Sequence, residues 1–275
     1  MTDTFSVISF NLRFGLADDG PNSWGYRKAG VAEFLQTHRA DFIGLQEAND
    51  FQVDFVDHEL VEYAYIGMRN PAPRFWQNNV LFYNPQWRCI SQKHLYLSPT
   101  PDIPSRFSES QWPRQCTIGL FEKDQRQLIC INTHFDFKPT VQRKSARFVL
   151  DQVSLLPSNS SVVLMGDFNA TPESDCHMNL TGHETGTAAD WPSFENVFVE
   201  PYPGTFHGFS GDSIGGCIDW ILYRGDIVPD DCVVIRATFN GIYPSDHFPI
   251  RAQFHWRGKT EDQSSGMGPI SLNTS

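Results

Sequence analysis

No apolar run in this sequence approaches the ~18 residues that a bilayer-spanning helix requires, so no membrane span is expected. Residues 1–10 carry no basic segment and pass at once into an alternating strand pattern. No secretory signal is visible, and a cytoplasmic location is the expectation. The six cysteines (Cys89, Cys116, Cys130, Cys176, Cys217, Cys232) include no C-x-x-C pair. That spacing argues against a structural zinc site and a disulfide framework, leaving reduced, mostly buried thiols. Basic charge is also short: 21 Lys and Arg stand against 32 Asp and Glu, a net charge of −11. Proteins that coat long duplexes present a basic face, because phosphate neutralisation supplies most of their affinity. An acidic balance leaves a nuclease open, since a carboxylate cluster must be present to hold a metal. A small or single-stranded phosphoester fits it better than a broad duplex footprint.

What is abundant is core material: 40% hydrophobic residues, with 22 Phe and 7 Trp. Strand-like stretches lie at Phe5–Phe10, Phe42–Leu45, Tyr63–Met68, Val80–Tyr83, Trp87–Leu97, Cys116–Glu122, Gln127–Thr133, around Val162–Met165, at Cys217–Tyr223, Val233–Phe239 and His247–Trp256. Helical spacing marks Ser23–Arg39, with Ser23 as N-cap, then Asn49–Leu60 and Thr140–Leu156. No repeat emerges, although the first and last thirds share a gross pattern of strands and helices with acidic residues at strand ends. Helices flanking this many strands predict an α/β fold of two sheets packed face to face and covered by helices. No linker composition interrupts residues 1–256, which are expected to form one domain. Residues 257–275, Gly/Ser/Asn-rich without apolar periodicity, read as a disordered tail.

The chemistry-bearing residues sit where apolar strands end. Val162-Val163-Leu164-Met165 delivers Gly166-Asp167-Phe168-Asn169 onto a loop, and Ser245-Asp246-His247 arrives just before Phe248-Pro249-Ile250. A carboxylate that can hold a hard cation or orient water, beside an imidazole that can bind a phosphoryl oxygen, suits metal-assisted phosphoester cleavage. Glu47 ends Gly44-Leu45-Gln46-Glu47; alone, it reads equally as a solvated carboxylate opening a helix. Asn11, ending the first strand, would alone be a turn residue, and His134 alone a satisfied core histidine. Asp167 and Asn169, followed by Thr-Pro, could also form an ordinary Asx turn. Asp219 lies inside an apolar strand and must pair with something, for which a histidine is the natural partner. The set as a whole outweighs these separate structural readings.

The ordered motifs Phe10-Asn11, Leu45-Gln46-Glu47, Asn132-Thr133-His134, Gly166-Asp167-Phe168-Asn169, Ile218-Asp219 and Ser245-Asp246-His247 resemble those of the endonuclease/exonuclease/phosphatase superfamily over residues 5 to 256. The resemblance implies a four-layer α/β/β/α sandwich with two packed, mainly antiparallel sheets, and divalent-metal-dependent phosphoester hydrolysis. It further implies Glu47 as main metal ligand, Asn11 beside the metal or scissile phosphate, and Asp246 contributing directly or through water. Asp167 would orient or deprotonate the attacking water and Asn169 would hold water or phosphate. His247 would donate to a phosphoryl oxygen with its tautomer fixed by Asp219, and His134 would contact phosphate or donate a proton. Oxygen-rich ligands without cysteine suit Mg²⁺ or Mn²⁺.

Two departures bear on substrate. Abasic-site endonucleases carry an Asp where this chain has Arg13, whereas Asn11-Leu12-Arg13 with Gly204-Thr205-Phe206-His207-Gly208-Phe209 is similar to a bacterial branch related to the deadenylases. Members of that branch often place a Glu where Gln77, Asn78 and Asn79 stand here, and none of these ionises. Arg114, Arg69 and Arg106 are candidate phosphate clamps or ordinary surface arginines; His207 is a candidate substrate contact or a packing residue. The expected substrate is single-stranded nucleic acid or an oligonucleotide, with a small phosphorylated metabolite or lipid headgroup as the alternative. A catalytically silent binding module on the same fold is the competing class. No obligate protein partner is indicated.

Overall fold

The computed structural model describes residues 4–69, 76–183 and 192–258. In chain order these form β1 (Thr4–Asn11), α1 (Trp24–Thr37), β2 (Phe42–Ala48), α2 (Asp50–Glu59), β3 (Ala64–Ile66), β4 (Asn78–Tyr83), β5 (Arg88–Tyr96) and β6 (Gln115–Lys123). There follow β7 (Arg126–His134), α3 (Pro139–Ser154), β8 (Val162–Asp167), α4 (Asp175–Thr181), β9 (Glu195–Asn196), β10 (Asp219–Arg224), β11 (Ile227–Val234) and β12 (Ile250–Trp256). The first sheet runs β11-β12-β1-β2-β4-β3 and the second β5-β6-β7-β8-β10-β9. Each contains one parallel pair, β1 with β2 and β7 with β8; the other neighbours are antiparallel. Both parallel pairs are joined through a helix, α1 or α3, because parallel strands need a long crossover.

Three apolar layers hold the sandwich together. Ile8, Phe10, Ile43 and Leu45 pack under α1 and α2, with Val31, Phe34 and Val53. Ile129, Ile131, Leu164 and Trp220 pack under α3 and α4, with Val149 and Leu180. Between the sheets lie Phe5, Phe42, Trp87, Phe121, Met165, Ile221 and Phe254. The strand period of two explains the division, since alternate residues of one strand serve different layers.

The same alternation carries each inner face from apolar to polar. On β1 the inward series is Phe5, Val7, Ser9, Asn11; on β8 it is Val163, Met165, Asp167; on β10, read backwards, Tyr223, Ile221, Asp219. Strand ends from both sheets therefore bring their polar residues to one rim of the sandwich.

Several expectations need correction. The strand placed at Val233–Phe239 lies upstream, at Ile227–Val234, and Ile235–Thr238 are outside any strand. Pro229-Asp230-Asp231 resembles a turn, but it is a bulge in an edge strand, where proline loses no needed hydrogen bond. Tyr63–Met68 contracts to Ala64–Ile66, and His247–Trp256 becomes strand only from Ile250. Ser23 does occupy the N-cap of α1, without a side-chain capping bond. Helix α4 and the short β9 were not expected. The proposed tail falls, from residue 259 onward, outside the described residues.

Candidate active site

Glu47 reaches the rim through a local irregularity. Leu45 pairs with Val80 and Ala48 with Asn78, so Gln46 and Glu47 together oppose the single residue Asn79. This bulge sets Glu47 at φ +59°, a left-handed conformation that costs a glutamate energy and re-aims its side chain. The carboxylate is then fixed by the Phe14 amide donating to Oε2 at 2.7 Å and Asn11 Nδ2 donating to Oε1 at 3.3 Å. Asn11 Nδ2 also donates to Asp167 Oδ2 at 2.8 Å, joining the two sheets.

Gly166 explains the first position of the Gly-Asp-Phe-Asn run. A Cβ there would lie 2.0 Å from the Thr133 carbonyl oxygen of the neighbouring parallel strand, so no side chain fits. Asn169 sits at φ +50°, and its amide donates to Asp167 Oδ1 at 2.8 Å. Its side-chain Nδ2 lies 3.0 Å from His134 Nε2 and donates to the Phe135 carbonyl at 3.0 Å. His134 Nε2 is 3.4 Å from Asp167 Oδ2 and 3.9 Å from Glu47 Oε1.

Asp219 faces Asp167 across the β8–β10 pair and stands 2.9 Å from His247 Nδ1. The partner expected for this buried aspartate is therefore a histidine. His247 Nε2 points on towards Asp167 Oδ2, 3.8 Å away. Burial alone would discourage a charge on His247, but Asp219 and then Asp167 reverse this and hold its proton well above the usual histidine range. Burial pushes the Asp167 carboxyl upward; His247 opposes that shift, and the negative charge of Asp219 adds to it. His134 goes the other way: burial, then the positive charges of Arg114 and His247, keep it neutral.

Arg114 Nη1 lies 3.0 Å from His134 Nδ1, while the buried Nε has no hydrogen-bond partner. Asp246 is not part of the Glu47–His134–Asp167 group; its Oδ2 lies 3.6 Å from Nε of Arg13, itself bidentate on Asp19. Arg69 is buried, donating to the Tyr96 hydroxyl at 3.1 Å and lying 3.8 Å over the Trp76 ring. Arg106 donates to the Ser110 carbonyl. His207 is fully buried, stacked on Phe248 with centroids 3.9 Å apart, which matches the packing alternative for that loop. Asn78 donates to the Ala48 carbonyl and Asp50, and Asn79 to the Gln115 carbonyl. Both amides thus tie loops and sheets together.

Sequence reasoning passed over Arg27. Its guanidinium is buried and donates to the carbonyls of Leu12 (2.6 Å), Arg13 (2.9 Å) and Pro244 (2.9 Å). It stitches the loop after Asn11 to the loop before Asp246, although burial draws its pKa down to about 10. The available signal was an arginine on the same helix stripe as Gly30, Val31 and Phe34. Thr205 and Ser245 were missed too. Thr205 Oγ1 accepts from the amides of Ile218 (3.0 Å) and Asp219 (3.1 Å), and Ser245 Oγ donates to the Asn11 carbonyl at 2.6 Å.

A rim with this geometry invites comparison with known proteins. The profile of the Endonuclease/Exonuclease/phosphatase family matches residues 8–247, and the chain belongs to that family, whose members are metal-dependent phosphoester hydrolases. An endonuclease/exonuclease/phosphatase from Bacteroides vulgatus superposes with TM-score 0.81 at 23% identity, over 92% of this chain and 99% of that one. A mannosyl-6-phosphatase from Bacteroides thetaiotaomicron gives 0.80 at 23%, over 92% and 100%. The CCR4-Not complex 3′-5′-exoribonuclease subunit Ccr4 of Mycosarcoma maydis is 22% identical over 96% of this chain. The chain spans about half (52%) of that relative's length.

Proposed function

We propose that this protein is a Mg²⁺- or Mn²⁺-dependent phosphodiesterase acting on single-stranded nucleic acid or oligonucleotides. The observation that carries the reading is the convergence on Asp167 Oδ2 of Asn11 Nδ2 (2.8 Å), His134 Nε2 (3.4 Å) and His247 Nε2 (3.8 Å), drawn from both sheets. Glu47, His134 and Asp167 present ligand atoms within 4.8 Å of one another. Two of these three offer carboxylate oxygens and none is a thiolate, a donor set that fits a hard divalent cation. Glu47 would hold the ion, with Asn11 beside it and Asp246 contributing through water. When bound, the ion supplies Lewis acidity towards the phosphoryl oxygen.

The remaining work falls to the chain's own groups. Asp167 orients the attacking water and takes up its proton, with Asn169 holding the water or phosphate beside it. His247 donates from Nε2 as charge grows on a phosphoryl oxygen, and Asp219 accepts from Nδ1 so that the other nitrogen faces the substrate. His134 and Arg114 form the neutral and cationic sides of the phosphate clamp. The exoribonuclease relative favours the nucleic-acid reading, and the mannosyl-6-phosphatase likeness keeps a small phosphoester as the second one.

The test is hydrolysis of bis-p-nitrophenyl phosphate and p-nitrophenyl phosphate with and without EDTA. A panel of oligo(A), single-stranded DNA, abasic duplex, sugar phosphates and phospholipid headgroups follows. Activity should vanish in EDTA, return with Mg²⁺ or Mn²⁺, and favour the diester and single strands. Full activity in EDTA would overturn the metal reading; preference for sugar phosphates or headgroups would overturn the substrate.

A further inference from the structure

The two helix layers carry opposite charge. Helix α2 presents Asp50, Asp54, Asp57 and Glu59 with no Lys or Arg, whereas α3 presents Arg143, Lys144 and Arg147 against Asp151 alone, with Lys138 at its N-cap. Of the 21 Lys and Arg in the chain, four therefore fall within positions 138–147 of a molecule whose net charge is −11. They lie on the face of α3 opposite its buried stripe of Val141, Ala146, Val149 and Val153.

This face lines an open surface cleft of about 770 Å³, bordered also by Ser98, Pro99, Phe107 and Glu109. Phe107 and Phe148 supply aromatic surface within it, and Lys144 Nζ stands 5.3 Å from the Phe107 ring. Cations beside aromatic rings are the composition that binds single strands, through backbone charge and base stacking. The arginines and lysine are now engaged by carboxylates: Lys144 by Glu109, Arg143 by Asp175 at 2.9 Å, Arg147 by Asp151 at 3.9 Å. These pairs are exposed, so exchanging a carboxylate for a phosphate costs little.

The N-terminal part of α3 is tied to the active-site loops by hydrogen bonds. Gln142, one residue before Arg143, donates to the Asn169 carbonyl at 2.8 Å. Lys138 Nζ donates to the Glu109 carbonyl at 2.6 Å, and Ser110 donates to Asp136, two residues after His134.

We infer that the α3 cleft binds the single-stranded polynucleotide chain that flanks the phosphodiester held at Asp167 and His247. This rests on the nucleic-acid reading of the site and extends it: the polyanion leaves along α3 and avoids the acidic α2 face. Small substrates that end at the scissile phosphate do not reach the cleft.

The experiment compares wild type with the triple variant Arg143→Gln/Lys144→Gln/Arg147→Gln, whose changes lie on an exposed face; its thermal unfolding should match wild type. Anisotropy of a fluorescein-labelled single-stranded 20-mer is read in EDTA across salt, and hydrolysis of bis-p-nitrophenyl phosphate in Mg²⁺. Three lost phosphate contacts at about 0.7 each should flatten the log–log salt slope by about 2. The variant should bind the 20-mer on the order of 10-fold more weakly at low salt, while its bis-p-nitrophenyl phosphate rate stays at the wild-type level. An unchanged slope, or equal loss on 20-mer and small diester, would overturn the inference. Binding of inorganic polyphosphate as tight as that of the 20-mer would also overturn it, showing only a general polyanion surface. If wild type cleaves no small diester yet the slope change appears, the catalytic reading fails and the cleft stands. Cleavage of oligonucleotides with no effect of the triple variant leaves the reverse.

Discussion

Asn11 and Phe5 face the same way from the same strand, six positions and roughly 20 Å apart, and they end in different kinds of matter. Around Phe5 the space between the sheets is aromatic: Phe254 stacks at 5.2 Å, Trp256 lies at 5.6 Å and Trp87 at 5.9 Å. Towards Asn11 the same inter-sheet space turns polar. Asn132 of β7 donates to the Leu45 and Val80 carbonyls of the first sheet, both at 2.9 Å, and its Oδ1 accepts from Gln46 Nε2 at 2.7 Å. Thr117 donates to the Asn79 carbonyl at 2.6 Å. One end is bound by area, which tolerates small shifts; the other by directional bonds, which do not. The proposed site, which would have to fix Glu47, Asp167 and His247 to fractions of an ångström, lies at the directional end.

The largest expected effect lies at the polar rim. Asp219→Asn keeps size and one hydrogen-bonding edge but removes the charge that holds the His247 proton, and the neutral ring that results can present the wrong tautomer; in the serine-protease His–Asp pair that change costs about 10⁴-fold in kcat. His247→Ala should remove the same transition-state contact, so the double mutant should be scarcely worse than either single one. Measuring kcat and thermal unfolding on all three decides the matter. Losses that multiply would mean that the pair does not act as a unit, and a fall in Tm with kcat near wild type would reduce Asp219 to a buried structural carboxylate.

A matched pair of truncations contrasts the two ends directly. Phe5→Ala should cost about 3–5 kcal/mol of stability, the usual toll for a large buried aromatic, while kcat per folded molecule stays near wild type. Asn132→Ala removes its bonds to the Leu45 and Val80 carbonyls, at about 0.5–1.5 kcal/mol for each bond lost. Those carbonyls adjoin the bulge that aims Glu47, so this variant should also require more divalent metal ion for half-maximal activity. Denaturant unfolding and metal titration on both proteins would show it. An equal metal requirement in the two variants would erase the distinction between the ends.

Much of this was legible in the sequence because apolar runs stop where the polar residues begin. Val162–Met165 before Asp167 and Phe42–Leu45 before Glu47 mark both strand and rim, and the buried Asp219 demanded a histidine that the fold supplies. What could not be read depends on pairing across distance. The bulge at Gln46-Glu47 exists only in register with β4, and Arg27 acquires its role only when Leu12 and Pro244 are brought over it. Helix α4 is seven residues of mixed polarity, too short for a periodic signal. The upstream half of β11 contains Pro229, whose meaning changes with whether the strand lies at an edge.

The smallest effect concerns two histidines with opposite environments. His247 is buried beside Asp219 and Asp167 and keeps its proton. His177 lies on the buried face of α4, edge-on to Trp220 at 4.8 Å, with Asn196 Nδ2 3.2 Å from its Nε2 and no carboxylate within ion-pair distance among the described residues. Burial, followed by the positive charge of His183, pulls its pKa down from 6.5 to about 4. Between those values the unfolded chain takes up a proton that the folded chain refuses, so stability falls as pH drops from about 6.5 towards 4. His94 and His207 are shifted the same way, and the wild-type profile therefore sums several groups. A His177→Leu variant isolates one of them: the wild-type advantage in Tm, or its deficit, should move in the variant's favour by a degree or a few as the buffer is taken from pH 7 to pH 5. Parallel Tm profiles for the two proteins over that range would show that His177 titrates alike in the folded and unfolded states, and that burial on the inner face of α4 does not set its charge.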